Sequence, residues 1–114
     1  MKIPASQHVY SMSAHNKAAA SCQPGETVVF ETQDCFSNQI QSEEVLFEST
    51  DWESINPATG PLKVEGAEIG DTLKVEIKKI DLNDQGVMIT APEMGFLEEF
   101  VTGSETKIIP IENN

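Results

Sequence analysis

The apolar and polar positions of the chain alternate in short runs that are typical of β-strands. Residues 73–80 show this most clearly, because Leu73, Val75 and Ile77 fall on one face of an extended chain and charged residues on the other. Four further runs are rich in β-branched or other apolar residues and also predict strands. They are residues 27–32, 62–65, 87–90 and 107–111. Pro110 places the last run at a sheet edge or a strand end.

Turn-forming Gly, Pro and Asn residues divide these runs, so the pattern predicts an all-β fold of the β-sandwich or jelly-roll type. The length of 114 residues favours a single domain over residues 1–114. Residues 37–53 differ, because they hold acidic side chains with no basic residue among them. We expect a solvated acidic loop there; the alternative is a short helical insertion with Ser42 as its N-cap.

Two segments repeat one pattern, Gly-acid-Thr-apolar-x-apolar-Glu, at residues 25–31 and 70–76. A glycine tolerates backbone angles that other residues avoid, and an acidic side chain can bind nearby backbone amides. We interpret the two copies as similar junctions between a turn and a strand.

The charge balance excludes several partners. The chain has 19 acidic residues and 7 basic ones, all lysine, for a net charge of −12. Nucleic acid and anionic membranes are poor partners, since both require basic contacts. No apolar run is long enough to span a membrane, and the first residues lack the pattern of a signal peptide. We therefore expect a cytoplasmic protein. Cys22 and Cys35 have no redox or zinc spacing and do not decide the compartment, but we expect reduced, partly buried thiols rather than a disulfide.

No hydrolase motif is present, and the two histidines, His8 and His15, are expected to be surface or packing residues rather than metal ligands.

Two acidic residues stand out by their position. Asp34 follows a predicted strand, where it suits either an Asx-turn or a functional role. Glu65 ends another strand just before a glycine. If its side chain points inward, burial raises its pKa and suits it to proton transfer; if outward, it is a solvated acid. Glu68 and Asp71 compete for the same role.

Residues 56–73, NPATGPLKVEGAEIGDTL, resemble the signature of the acetamidase/formamidase family. The segment at 24–32, together with Asp34 and Gln39, resembles the first strand of that family and the loop after it. The likeness extends from about residue 8 to residue 111 and has one notable departure, Ile69, where the family usually has proline.

The resemblance implies hydrolysis of small amides such as formamide and acetamide to the carboxylic acid and ammonia. It assigns the catalytic roles to Glu65 and Asp34, and substrate binding to Gln39, Asn56 and Thr59. Family members that contain metal are known, so a divalent zinc or calcium ion held by Asp34 or Glu65 is a further expectation.

Family members are well over twice as long, and their second half carries a His-Gly-Gly-Asn segment that is not found here. The sequence therefore resembles only an N-terminal domain. We expect no useful amidase activity from it alone, and a partner that is either a complementary C-terminal domain or further copies of the chain. The alternative is a non-catalytic β-sandwich module for binding or assembly. A weaker one is a calcium-binding module using Asp34, Glu65 and Asp71.

Overall fold

The computed structural model describes residues 1–112 and shows an all-β chain, as predicted. Eight short strands form within the described residues. In chain order they are β1 (Lys2–Ile3), β2 (His8–Val9), β3 (Ala20–Cys22), β4 (Val29–Phe30), β5 (Ala58–Thr59), β6 (Leu62–Val64), β7 (Gln85–Thr90) and β8 (Glu105–Pro110). The helical residues lie in single 3-10 turns at Phe47–Ser49, Trp52–Ser54 and Glu98–Phe100. Within residues 1–112, no helix has the length and apolar character needed to cross a membrane.

One compact unit consists of residues 1–38 and 52–75. Its strands form pairs: β1 with β4 and β3 with β6 are parallel, and β2 with β5 is antiparallel. Ile3 lies opposite Phe30 in the first pair and is fully buried. Because an apolar side chain gains most when it leaves water completely, Ile3 anchors this unit.

The other compact unit is described here over residues 39–51 and 76–112. Its strands β7 and β8 form an antiparallel hairpin six residues long on each side. The Thr106 hydroxyl donates a hydrogen bond of 2.6 Å to the Val45 carbonyl, and the Ile108 amide donates one of 3.2 Å to a Glu43 carboxylate oxygen. These bonds tie the segment 39–51 to β8.

Four of the predicted strands are confirmed as β4, β6, β7 and β8, and Pro110 ends β8 as expected. The strand predicted over residues 73–80 is wrong, since that segment forms no strand and the strand pairs among residues 1–112 all lie elsewhere. The physical reason is that alternation describes a side-chain pattern, whereas a strand needs a neighbour to bond its amides and carbonyls. The missed strands are two or three residues long, which is too short to display a period.

The acidic segment at residues 37–53 is a loop, and the alternative helix starting at Ser42 does not form. The Ser42 carbonyl accepts a single turn bond of 3.2 Å from the Val45 amide, and the chain then enters a 3-10 turn at Phe47–Ser49. Acidic side chains in this loop are mostly exposed, so their charges stay in water.

The two copies of the repeated pattern form the same turn, which confirms their interpretation as equivalent junctions. In each copy the glycine has a positive φ, 85° in the first and 103° in the second. A carboxylate oxygen of Glu26 accepts a bond of 2.9 Å from the Gln23 amide, and one of Asp71 accepts a bond of 2.9 Å from the Glu68 amide. In both copies, therefore, the acidic side chain closes the turn.

Candidate functional site

Asp34 organises the loop that follows β4. One oxygen of its carboxylate accepts the amides of Phe36 at 2.9 Å and Asn38 at 2.7 Å, while the Asp34 amide donates to the side-chain oxygen of Asn38 at 3.1 Å. Ser37 and Asn38 take left-handed backbone angles, with φ of 54° and 57°. Of the two roles considered for Asp34, the Asx-turn is therefore formed, and residues 34–38 are held in one tight loop.

We expect Asp34→Ala to lower the free energy of unfolding by about 1 kcal/mol, because two backbone amides lose their acceptor. Asp34→Asn keeps an oxygen at that position and should cost less. Glu44→Ala, at an exposed acidic residue, is the matched control and should change nothing measurable. Urea denaturation of the three variants measures the difference. Equal stabilities for Asp34→Ala and the control would contradict this role.

The Asp34 loop holds the backbone of Asn56. The Asn56 amide donates a hydrogen bond of 2.7 Å to the Cys35 carbonyl, and the Ser37 hydroxyl donates to the Ser54 carbonyl. Asn56 has a left-handed backbone, with φ of 57°, and its side chain is exposed. The fold links Asp34 and Asn56 through this loop. The Asp34 side chain shapes the loop, and the loop fixes the backbone of Asn56.

Thr59 lies in β5 directly opposite His8 of β2. The Thr59 hydroxyl donates a bond of 2.7 Å to the Glu31 carbonyl. The Nδ1 atom of His8 is 2.8 Å from the Ala5 carbonyl, which can only accept, so Nδ1 carries a proton and donates it in this bond. The His8 ring packs edge-on against Tyr10 with 4.9 Å between centroids, in line with the predicted packing role. Its position beside Thr59 has no sequence signal, since β2 is only two residues long.

Glu65 follows β6, and its carboxylate lies 3.0 Å from the ammonium group of Lys63. The parallel pairing of β3 with β6 places Ser21 opposite Lys63. Hydrogen bonds from Lys63 and then from Ser21, together with the Lys63 charge, lower the pKa of the Glu65 carboxyl. The alternative in which burial raised this pKa is therefore wrong, because the carboxylate is partly exposed and paired.

The lowered pKa of Glu65 predicts a pH effect with a defined sign. The pairing stabilises the fold above the pKa that the carboxyl has in the unfolded chain, and this contribution disappears as the pH falls through the folded-state pKa. We expect Lys63→Met to raise the pKa of Glu65 toward its ordinary value, measured by NMR titration of the side chain. Lys17→Met, at an exposed position, should leave it unchanged. An identical Glu65 titration in both variants would contradict the assignment.

Gln39 belongs to the other unit, and its amide group forms two bonds with one residue. Its Nε2 atom donates to the Asp51 carbonyl at 3.1 Å, and its Oε1 atom accepts the Asp51 amide at 2.8 Å. These two bonds connect residue 39, near the start of the acidic loop, to residue 51, near its end.

A site for the expected zinc or calcium ion would consist, among residues 1–112, of a group of His, Cys, Asp or Glu side chains. No three His, Cys, Asp or Glu side chains there form a group that could hold an ion. Asp34, Glu65 and Asp71 consequently do not make the calcium site considered from the sequence, and His15 lies exposed in a turn.

Both cysteines are free thiols, as predicted, with Cys22 buried and Cys35 exposed. Partial desolvation and then the nearby charge of Asp34 raise the pKa of the Cys35 thiol. Since a raised pKa favours the protonated thiol, a smaller fraction of Cys35 is thiolate at neutral pH than for an unperturbed cysteine.

Within the family-like segment 56–73, the backbone geometry requires a glycine at position 60. Gly60 is buried with φ of 124°, and a Cβ atom there would lie 3.2 Å from the Leu62 amide nitrogen. Its amide donates a bond of 2.8 Å to the Gln7 carbonyl. A side chain at this position is disfavoured by both the angle and the space, so the glycine is needed to pass from β5 to β6.

Comparison with known proteins identifies relatives of this chain. The family model described as "Acetamidase/Formamidase family" matches residues 10–113. Among solved structures, an acetamidase from Bacillus halodurans is 47% identical, with a TM-score of 0.96 over 99% of this chain and 38% of its own. A predicted acetamidase/formamidase from Thermoanaerobacter tengcongensis is 44% identical, with a TM-score of 0.92 over 98% of this chain and 37% of its own.

No curated protein matches the chain significantly. The chain spans well under half the length of the two solved relatives, as expected from its likeness to one part of a longer family member. The family match covers nearly the whole sequence, and the fold agrees with both structures. This chain belongs to the acetamidase/formamidase family.

Proposed function

We propose that the chain forms part of an enzyme that hydrolyses small linear amides, such as formamide and acetamide, to the carboxylic acid and ammonia. The observation that carries this proposal is the family match over residues 10–113. Since the matched relatives continue well beyond the matched part, the activity requires the remainder of a family chain in addition to these residues.

Asn56 is the residue best suited to orient the substrate. Its exposed side chain offers one carbonyl oxygen and one NH2 group, and the amide substrate needs a donor for its carbonyl and an acceptor for its NH2. The backbone of Asn56 is fixed by its bond to the Cys35 carbonyl within the Asp34 loop. Asp34 would therefore act on the substrate through Asn56, as a positioning residue.

Glu65 is the carboxylate we propose for proton transfer. With its pKa lowered it stays ionised at neutral pH, where it accepts a proton from the attacking water. The water oxygen bonds to the amide carbon, Glu65 returns the proton to the nitrogen, and the C–N bond breaks to release ammonia and the carboxylic acid. The lowered pKa makes Glu65 a weak base, so the remaining rate enhancement must come from groups that polarise the carbonyl.

Thr59 and Gln39, expected from the resemblance to bind substrate, are proposed to act indirectly, each by fixing backbone within its own unit. The Thr59 hydroxyl is bonded to the Glu31 carbonyl, and the Gln39 amide is bonded to Asp51. Their polar groups are thus engaged, which supports a role in fixing neighbouring loops.

The proposal is tested by producing the chain together with a second polypeptide, the part of the Bacillus halodurans acetamidase that lies outside the match. This second polypeptide is called the complement below. The purified pair should release ammonia from formamide and acetamide. A pair that forms but releases no ammonia contradicts the proposal.

The second candidate function is a non-catalytic binding or assembly module. It is favoured by one observation: the polar groups of Asp34, Gln39 and Thr59 are all bonded to backbone. This candidate predicts a stable pair with the complement and no ammonia release, so the same assay separates the two functions.

A cytoplasmic setting is also proposed. It is supported by the free thiols of Cys22 and Cys35, since oxidising compartments favour disulfides in small domains.

A further inference from the structure

We propose that residues 71–77, here called the docking strand, add as a β-strand to a sheet formed by the part of the family chain that this sequence does not contain. The choice of partner rests on the same larger protein as the proposed function, but the inference concerns assembly and has its own readout.

The docking strand exposes an apolar row. Leu73, Val75 and Ile77 are 70%, 71% and 74% exposed. They alternate with the charged residues Lys74 and Glu76, a pattern that places the three apolar side chains on one face once the segment adopts a β-strand. A row of this kind on an unpaired segment is a template for another strand.

The repeated pattern shows what such a segment does when a partner is present. In the first copy the turn leads directly into β4, which pairs with β1. In the second copy an equivalent turn leads into the docking strand, which pairs with no described residue. The same turn is thus followed by a paired strand, β4, in the first copy and by the unpaired docking strand in the second.

The backbone hydrogen bonds of the first copy identify which amides of the second copy lack an acceptor. In the first copy the amides of Val29 and Glu31 donate to the carbonyls of Met1 and Ile3, at 2.9 Å and 3.0 Å. The amides at the equivalent positions are those of Lys74 and Glu76, and neither has an acceptor among residues 1–112. Since backbone amides are rarely left unpaired once covered, these two amides should find acceptors in the partner.

The partner is the remainder of a family chain rather than a second copy. The Bacillus halodurans relative has the fold of this chain over 38% of its own length, so most of that relative is available to cover the row. A second copy would bring together two chains of formal charge −12, and this repulsion opposes self-association.

The test uses the complement and two variants of this chain. Val75→Lys places a charge in the centre of the row, and Met12→Lys places one at another exposed apolar residue, 84% exposed. We expect Val75→Lys to reduce the affinity for the complement by about tenfold or more, and Met12→Lys to leave it unchanged. The matched segment of the Bacillus halodurans enzyme serves as the positive control for pairing.

Amide hydrogen exchange provides the second readout. The Lys74 and Glu76 amides should exchange rapidly in the chain alone at every concentration, and about tenfold or more slowly in the pair. Equal effects of the two lysine variants, or unchanged exchange in the pair, would overturn the inference. Protection that develops in the chain alone as its concentration rises would overturn it in favour of a second copy. A protected pair that releases no ammonia would support this inference and contradict the proposed function.

Discussion

Replacing Ile3 by alanine is expected to lower the free energy of unfolding by about 2–5 kcal/mol, the range for truncating a fully buried isoleucine. Ile3 is 0% exposed, and Ile3 and Ile40 are the largest fully buried side chains among residues 1–112. The cost exceeds the transfer of the lost atoms from water, because a cavity remains where β1 meets β4. Few apolar residues among the described ones are buried, so little other burial maintains the fold around that cavity.

Ile69→Ala is the matched control for Ile3→Ala. It removes the same atoms from a residue that is 108% exposed, so the stability should stay within about 0.5 kcal/mol of the original. Urea denaturation followed by circular dichroism measures both variants. Similar midpoints for the two variants would show that Ile3 does not anchor this unit.

Glu65→Gln is expected to reduce ammonia release by the pair with the complement by about 10²–10⁴-fold in kcat/KM, the contribution typical of a general base. Glutamine keeps the size of the side chain and its ability to hydrogen bond with Lys63 and Ser21, but it cannot take a proton. The loss should therefore arise mainly in kcat.

Glu68→Gln is the control, because Glu68 is the neighbouring acidic residue that could carry the proton-transfer role instead of Glu65. Glu68 lies in the turn closed by Asp71 and is exposed, so its substitution should leave ammonia release unchanged. A large loss in Glu68→Gln with none in Glu65→Gln would transfer the proton-transfer role to Glu68. Size-exclusion chromatography of both pairs shows whether assembly is intact.

The sequence predicted the strands that carry a clear side-chain period or a run of β-branched residues, such as β4 and β7. It wrongly predicted a strand at residues 73–80. Alternation of apolar and polar residues shows which side chains would share a face of a strand, but it does not show that a neighbouring strand is present. It missed β2 and β5, which are two residues each and form through contacts between distant parts of the chain.

The candidate site was predictable in part. The Asx-turn of Asp34 follows from its position after a strand and from local bonds, so the sequence contains the needed information. The environment of Glu65 was not predictable, because it depends on the pairing of β3 with β6, which brings Ser21 alongside Lys63. The position of His8 beside Thr59 likewise depends on a pairing across about half the chain.

The most direct test of the central claim is ammonia release from formamide by the purified chain alone, compared with the same chain paired with the complement. We predict no release above background from the chain alone and steady release from the pair, lost in Glu65→Gln. Release by the chain alone that disappears in Glu65→Gln would contradict the claim that these residues act only with the rest of a family chain. A well-formed pair that releases no ammonia would contradict the claim that they contribute to amide hydrolysis.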